Sequence, residues 1–129
     1  MRSLKNQILF NKGEIHRFRG EYEQAIAQFE GILEINASWN YLYGEIGKCY
    51  REMKKYKQSL TNFNRFLKHE PYNAELHYEM ALLFEQMGNL GKAREHLKFT
   101  LDLWEDADPE YKKAGEAKEK WTEWQQEMN

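Results

Sequence analysis

The stretch YGEIGKCYREMKKYKQSLTNFNRF, Tyr43 to Phe66, reads as two amphipathic helices meeting at a short break. Tyr43, Ile46, Gly47 and Tyr50 follow the i, i+3, i+4, i+7 spacing of one helical face. Lys54-Lys55 interrupts the pattern, and Ser59, Leu60, Phe63, Phe66 and Leu67 restart it. Pro71 closes the second helix, because proline disfavours helical backbone in the residue before it. Gly47 and Ser59 fall on facing positions of an antiparallel pair. Small side chains there let the backbones approach closely, and the rings of Tyr50, Tyr56 and Phe63 fill the space around the contact.

The same arrangement recurs on either side. Gly20, Lys54 and Gly88 lie 34 residues apart, as do Tyr22, Tyr56 and Leu90, and Ala25, Ser59 and Ala93. Phe29, Phe63 and Leu97 keep the period, as do Gly13, Gly47 and Ala81, and His16, Tyr50 and Phe84. A period in this range marks a repeat architecture, in which each unit buries its apolar face on its neighbour. Gly20 and Gly88 mark turns that need positive φ; Lys54 at the equivalent place predicts a slightly strained turn.

Composition fits a soluble helical domain. Of 129 residues, 31% are charged and 41% hydrophobic, against eight glycines and two prolines. Nineteen basic and 21 acidic residues leave a formal charge of −2, which lacks the positive excess that nucleic acid binding needs. The single Cys49 permits neither an internal disulfide nor a paired-cysteine zinc site. The sequence shows no signal-peptide pattern and no apolar run near the membrane-spanning length, so a reducing cytoplasm and no membrane are expected.

This helix-turn-helix resembles the tetratricopeptide repeat, whose pattern combines a large residue, Leu-Gly, Tyr, Ala, Phe, Ala and Pro. The first copy supplies Leu9, Lys12-Gly13, His16, Ala25, Phe29, Ile32 and Ala37. The second has Tyr43, Ile46-Gly47, Tyr50, Ser59, Phe63, Phe66 and Pro71; the third has His77, Met80-Ala81, Phe84, Ala93, Leu97, Thr100 and Glu105. Lys12, Phe66 at a small site and Glu105 for proline depart from the pattern. The resemblance implies an all-α, right-handed superhelical stack of antiparallel helix pairs. Residues 1–107 are expected to hold three repeats, about 6–39, 40–73 and 74–107, and residues 108–129 a C-terminal capping helix. Asp108 is placed as its N-cap and Pro109 as its first helical residue. Its stripe of Ala114, Ala117, Trp121, Trp124 and Met128 is expected to cover the last repeat.

In this family the first helix of each pair lines a concave groove that holds a partner's peptide or helix. The resemblance therefore implies a non-enzymatic interaction module whose candidate contacts are Phe10, Glu14, Arg17, Tyr41, Gly44, Glu45, Lys48, Glu75, Tyr78 and Glu79. Gly44, between Phe10 and Tyr78 at equivalent positions, suggests an open notch for a ligand side chain, since a mid-helix glycine costs about 1 kcal/mol relative to alanine. Family members that hold a chaperone's carboxylate terminus use Lys, Asn and Arg at positions filled here by Phe10, Glu14, Glu45, Glu75 and Glu79. That inverts the charge and points to basic and apolar segments over acidic ones. Glu85 adds to the acidic side, and Arg17, Lys48 and Arg51 temper it. A second expectation is a regulatory or oligomerising segment of a larger multidomain bacterial protein, with Trp121 and Trp124 as a candidate self-association face.

Catalysis finds little support. His16, His69, His77 and His96 are scattered along the chain without metal-ligand spacing, and His16 and His77 fill stripe positions. No phosphate loop or nucleophile elbow occurs. Cys49 reads as a small buried hydrophobe. No cofactor, metal or catalytic residue is expected.

Overall fold

The computed structural model describes residues 4–128. Among them are seven α-helices: α1 Leu4–Phe18, α2 Tyr22–Ile35, α3 Tyr41–Glu52, α4 Tyr56–His69, α5 Ala74–Gln86, α6 Leu90–Leu103 and α7 Lys112–Met128. They fall into two compact units, Met1–Pro71 with α1 to α4 and Tyr72–Asn129 with α5 to α7.

Each of the three helix pairs turns through the same backbone device. Gly20, Lys54 and Gly88 take φ of 76°, 61° and 81°. The next residue's N–H then reaches back five residues: Glu21 to the His16 carbonyl at 2.8 Å, Lys55 to Tyr50 at 2.9 Å, Asn89 to Phe84 at 2.9 Å. These 6→1 bonds satisfy carbonyls that a helix end leaves orphaned. Lys54 is the only non-glycine with positive φ among the described residues, and it carries the strain its place in the repeat predicts.

The pairs close on a match of volumes. A Cβ added to Gly13 would stand 2.5 Å from the Phe29 ring, and one added to Gly47 would stand 2.6 Å from the Phe63 ring. Each ring therefore packs against the bare backbone of the opposite helix. The third pair replaces both members of this contact, with Ala81 and Leu97, and both are fully buried. Ser59 Oγ donates to the Gly47 carbonyl at 2.7 Å and pins α4 to α3. In the third pair Thr100 Oγ1 donates to the Ala74 carbonyl at 3.1 Å, tying α6 to the first turn of α5.

In the first unit the core gathers Ala25, Ile26, Phe29, Ile32, Trp39, Leu42, Ile46 and Cys49. Burial pushes the Cys49 thiol up to about 12, so it is a neutral packing group. In the second unit Met80, Leu83, Phe84 and Leu97 are buried together with Ala114, Ala117 and Trp124 of α7. Asn73 and Asn89 cap α5 and α6, accepting from the Leu76 N–H at 2.9 Å and the Lys92 N–H at 3.1 Å.

Helix α7 starts later than the sequence suggests. Asp108 Oδ1 accepts from the Glu110 N–H at 2.9 Å, and the Tyr111 N–H bonds to the Asp108 carbonyl at 2.8 Å, so Asp108–Tyr111 is a turn and not a first helical turn. Aspartate favours this local bond to its own backbone as readily as it favours a cap. The Met128 side chain lies outside the described residues.

Candidate functional site

In the first unit, α1 and α3 bring together the side chains that the repeat pattern assigns to a binding face. The half-buried Phe10 ring meets Tyr41 edge-on, with centroids 5.8 Å apart, and Trp39 stacks on Tyr41 at 5.7 Å. Trp39, missed in the sequence, precedes the helix and so falls outside its periodic stripe; it is buried and holds Tyr41 in place. One turn along α1, Glu14 takes two bonds from Arg17, at 3.4 Å from Nε and 3.0 Å from Nη2. Arg17 Nε also lies 3.5 Å from Glu45 of α3, and Lys48 Nζ lies 3.0 Å from the other Glu45 oxygen. Two carboxylates and two cations thus form one ladder across the helices.

The ladder is uneven in its proton affinities. Burial, seconded by the neighbouring Glu14 carboxylate, lifts Glu45 above the ordinary carboxylate range against the pull of Lys48. Burial acts on Glu14 too, but the bonds and charge of Arg17 outweigh it and hold Glu14 below that range. The acidic field expected from Glu14 and Glu45 is therefore largely neutralised within the unit. Arg51, expected to temper the same charge, is itself buried, with Nη2 3.7 Å from Glu52.

Gly44 is not an open notch. It is buried, and a Cβ there would stand 2.9 Å from the Phe66 ring, which already fills the space. The two departures from the repeat pattern explain each other: an oversized Phe66 is accommodated because Gly44 has no side chain.

In the second unit, Glu75 is half-buried and salt-bridged to Lys113 of α7. Tyr78 and Glu79 are 7% and 8% exposed, which removes them as open contacts. Trp104 sits beside Tyr78 at 6.3 Å and against Tyr111 at 5.1 Å. The expected self-association face is likewise corrected at Trp124, which is 4% exposed and donates Nε1–H to Glu85 Oε2 at 2.8 Å. Lys120 reaches the other Glu85 oxygen at 2.8 Å, so Glu85 anchors the cap and is no groove charge. Trp121 is half-buried on the same helix.

The histidines are less scattered than their positions suggest. His77 Nδ1 and His96 Nδ1 are 2.9 Å apart, between Phe84 on one side and Phe99 on the other. His16 pairs with Glu21 at 3.2 Å. Among the described residues no group of three or more His, Cys, Asp or Glu could hold a metal ion, and no helix is long and apolar enough to cross a membrane.

Comparison with known proteins agrees with this construction. Two family models, each described as a tetratricopeptide repeat, match residues 7–38 and 45–71. The matched stretches carry the tetratricopeptide repeat, in keeping with the helix pairs α1–α2 and α3–α4. Human tetratricopeptide repeat protein 6 is 27% identical over 67 residues, which is 52% of this chain but only 13% of that protein's length. Among solved structures, the translocator chaperone SycD of Yersinia enterocolitica superposes with a TM-score of 0.86 at 14% identity, covering 99% of this chain and 88% of that one. The same chaperone in complex with a peptide of the translocator YopD gives 0.85 at 16% identity, over 99% and 98% of the two chains. PcrH in complex with the chaperone binding region of PopD gives 0.84 at 15% identity, over 100% and 97%. At these identities the likeness is one of fold.

Proposed function

We propose that the chain is a non-enzymatic protein-interaction module, acting in the cytoplasm, that takes a peptide or helical segment of a partner on the α1–α3 face. The observation that carries this reading is the Phe10–Tyr41 edge contact beside the Glu14–Arg17–Glu45–Lys48 ladder. Half-buried rings offer contact area at little entropic cost, and the ladder offers both donors and acceptors. Structural neighbours solved with a peptide of YopD and with the chaperone binding region of PopD support it by their fold. The preference is for apolar and aromatic side chains. A basic residue must compete with Arg17 and Lys48 for the carboxylates, so the bias toward basic over acidic segments is small.

A peptide array spanning apolar, basic and acidic segments, followed by anisotropy titration, tests this. Tyr41→Ala is expected to weaken the best apolar binder by about tenfold or more, the size of one lost interface anchor. Unchanged affinity in a variant with an unchanged circular dichroism spectrum would refute the assignment.

A specific observation also favours self-association. Leu4, Ile8, Ile15 and Phe18 share one face of α1, and Leu4 and Phe18 are 77% and 78% exposed. Sedimentation of Phe18→Lys beside the wild type separates the readings: a dimer lost in the variant supports it, and monomers in both oppose it.

A further inference from the structure

We propose a second peptide-binding cleft in the first unit, floored by α3 between walls from α2 and α4, that takes a partner segment carrying a basic residue beside an acidic one. A cavity of about 320 Å³ opens there, with Glu30 and Glu34 on the α2 wall, Tyr43 and Tyr50 on the floor and Arg65 on the α4 wall. A second cavity of about 430 Å³ shares Tyr50 and Arg65 and continues along α4 past Lys57. Together they reach the size at which small ligands and peptide side chains are held.

Charge decides what fits. On the α1–α3 face every carboxylate has a cation on it, but Glu30 and Glu34 have none among the described residues. One helical turn separates them, so they present two acceptors about 6 Å apart along the wall. Glu30 and Tyr50 line the same cavity, and burial, aided by the Glu30 carboxylate, raises the Tyr50 phenol. On the other wall the Arg65 guanidinium lies 5.7 Å from the Tyr43 ring centre and makes no ion pair among the described residues. Lys57 adds a second exposed positive charge on that wall.

The two walls thus carry opposite and unsatisfied charge over an aromatic floor. A lysine or arginine entering between Tyr43 and Tyr50, about 10 Å apart along α3, would meet Glu30 and Glu34 on the α2 wall. An acidic neighbour in the same segment would meet Arg65. An all-basic segment is repelled by one wall and an all-acidic one by the other, so the cleft selects paired charge. It shares α3 with the α1–α3 face but none of that face's side chains, and it stands whether or not that face binds.

Selection of a displayed random peptide library on the intact chain tests this. Enriched peptides are expected to include a class pairing Lys or Arg with Asp or Glu near an apolar residue. That class should bind the combined Glu30→Lys, Glu34→Lys, Arg65→Glu variant at least about tenfold more weakly, and peptides with the charges exchanged should regain binding to it. All three side chains are exposed, so the variant is expected to keep its fold, checked by circular dichroism. The Tyr41→Ala variant should bind the class normally. No enrichment, equal binding to the charge-reversed variant, or loss with Tyr41→Ala alone would each overturn the second cleft; the last would leave the α1–α3 face standing.

Discussion

Lys54 holds a φ of 61° where its two counterparts in the repeat are glycines, because the 6→1 bond from Lys55 to Tyr50 cannot form otherwise. A lysine pays for that conformation with its Cβ, and glycine does not. Glycine also loses more freedom on folding, so the net gain from Lys54→Gly is expected at about 0.5–1 kcal/mol, read as a higher chemical-denaturation midpoint. A lower midpoint would mean that the lysine side chain contributes something its exposed position does not show. Gly47 gives the opposite case. Gly47→Ala drives a methyl against the Phe63 ring and is expected to destabilise by about 1–3 kcal/mol. Adding Phe63→Leu copies the Ala81–Leu97 pair and should recover part of that loss, so a double-mutant cycle with no coupling would contradict the volume match. Gly13, Gly47, Ala81 and their partners were legible in the sequence because each pair recurs at a fixed offset. Gly44 was not: its partner Phe66 breaks the repeat pattern, and only the packed structure shows the two irregularities cancelling.

Among the elements, the cap α7 illustrates what periodicity conveys and what it omits. Its stripe of Ala114, Ala117 and Trp124 does cover the preceding helices, and all three are buried. The polar half of the contact was not readable. Glu85 takes both Lys120 and the Trp124 indole, and Glu75 takes Lys113, across separations of 35 to 39 residues that no helical period links. Trp124→Phe keeps the ring's bulk and removes the donor, which is expected to cost about 1–2 kcal/mol, since bonds to charged groups exceed neutral ones. If thermal melting of Trp124→Phe matched the wild type, the cap would be held by apolar contact alone. The same holds for α1 and α3: the sequence carries Arg17 as a tempering charge, but only the packed helices set it between Glu14 and Glu45.

For the whole molecule, the second unit contributes a pH-dependent part of the stability. Burial, with the neighbouring His77 and Lys92, pushes His96 down to about 4, with Glu95 opposing. A histidine with a depressed folded pKa stabilises above its ordinary value near 6.5, and that stability is lost as pH falls from 6.5 toward 4. The ring is part-exposed, so the loss is expected at about 1–2 kcal/mol, and His96→Phe should flatten the profile over that window. The functional claim lies in the first unit, and hydrogen–deuterium exchange of the intact chain, with and without a peptide chosen from the array, tests it most directly. Added protection is expected on α1 and α3 around Phe10, Arg17, Tyr41 and Lys48. Protection confined to the turns at Gly20, Lys54 and Gly88, or to α7, with α1 and α3 unchanged at saturation, would contradict it.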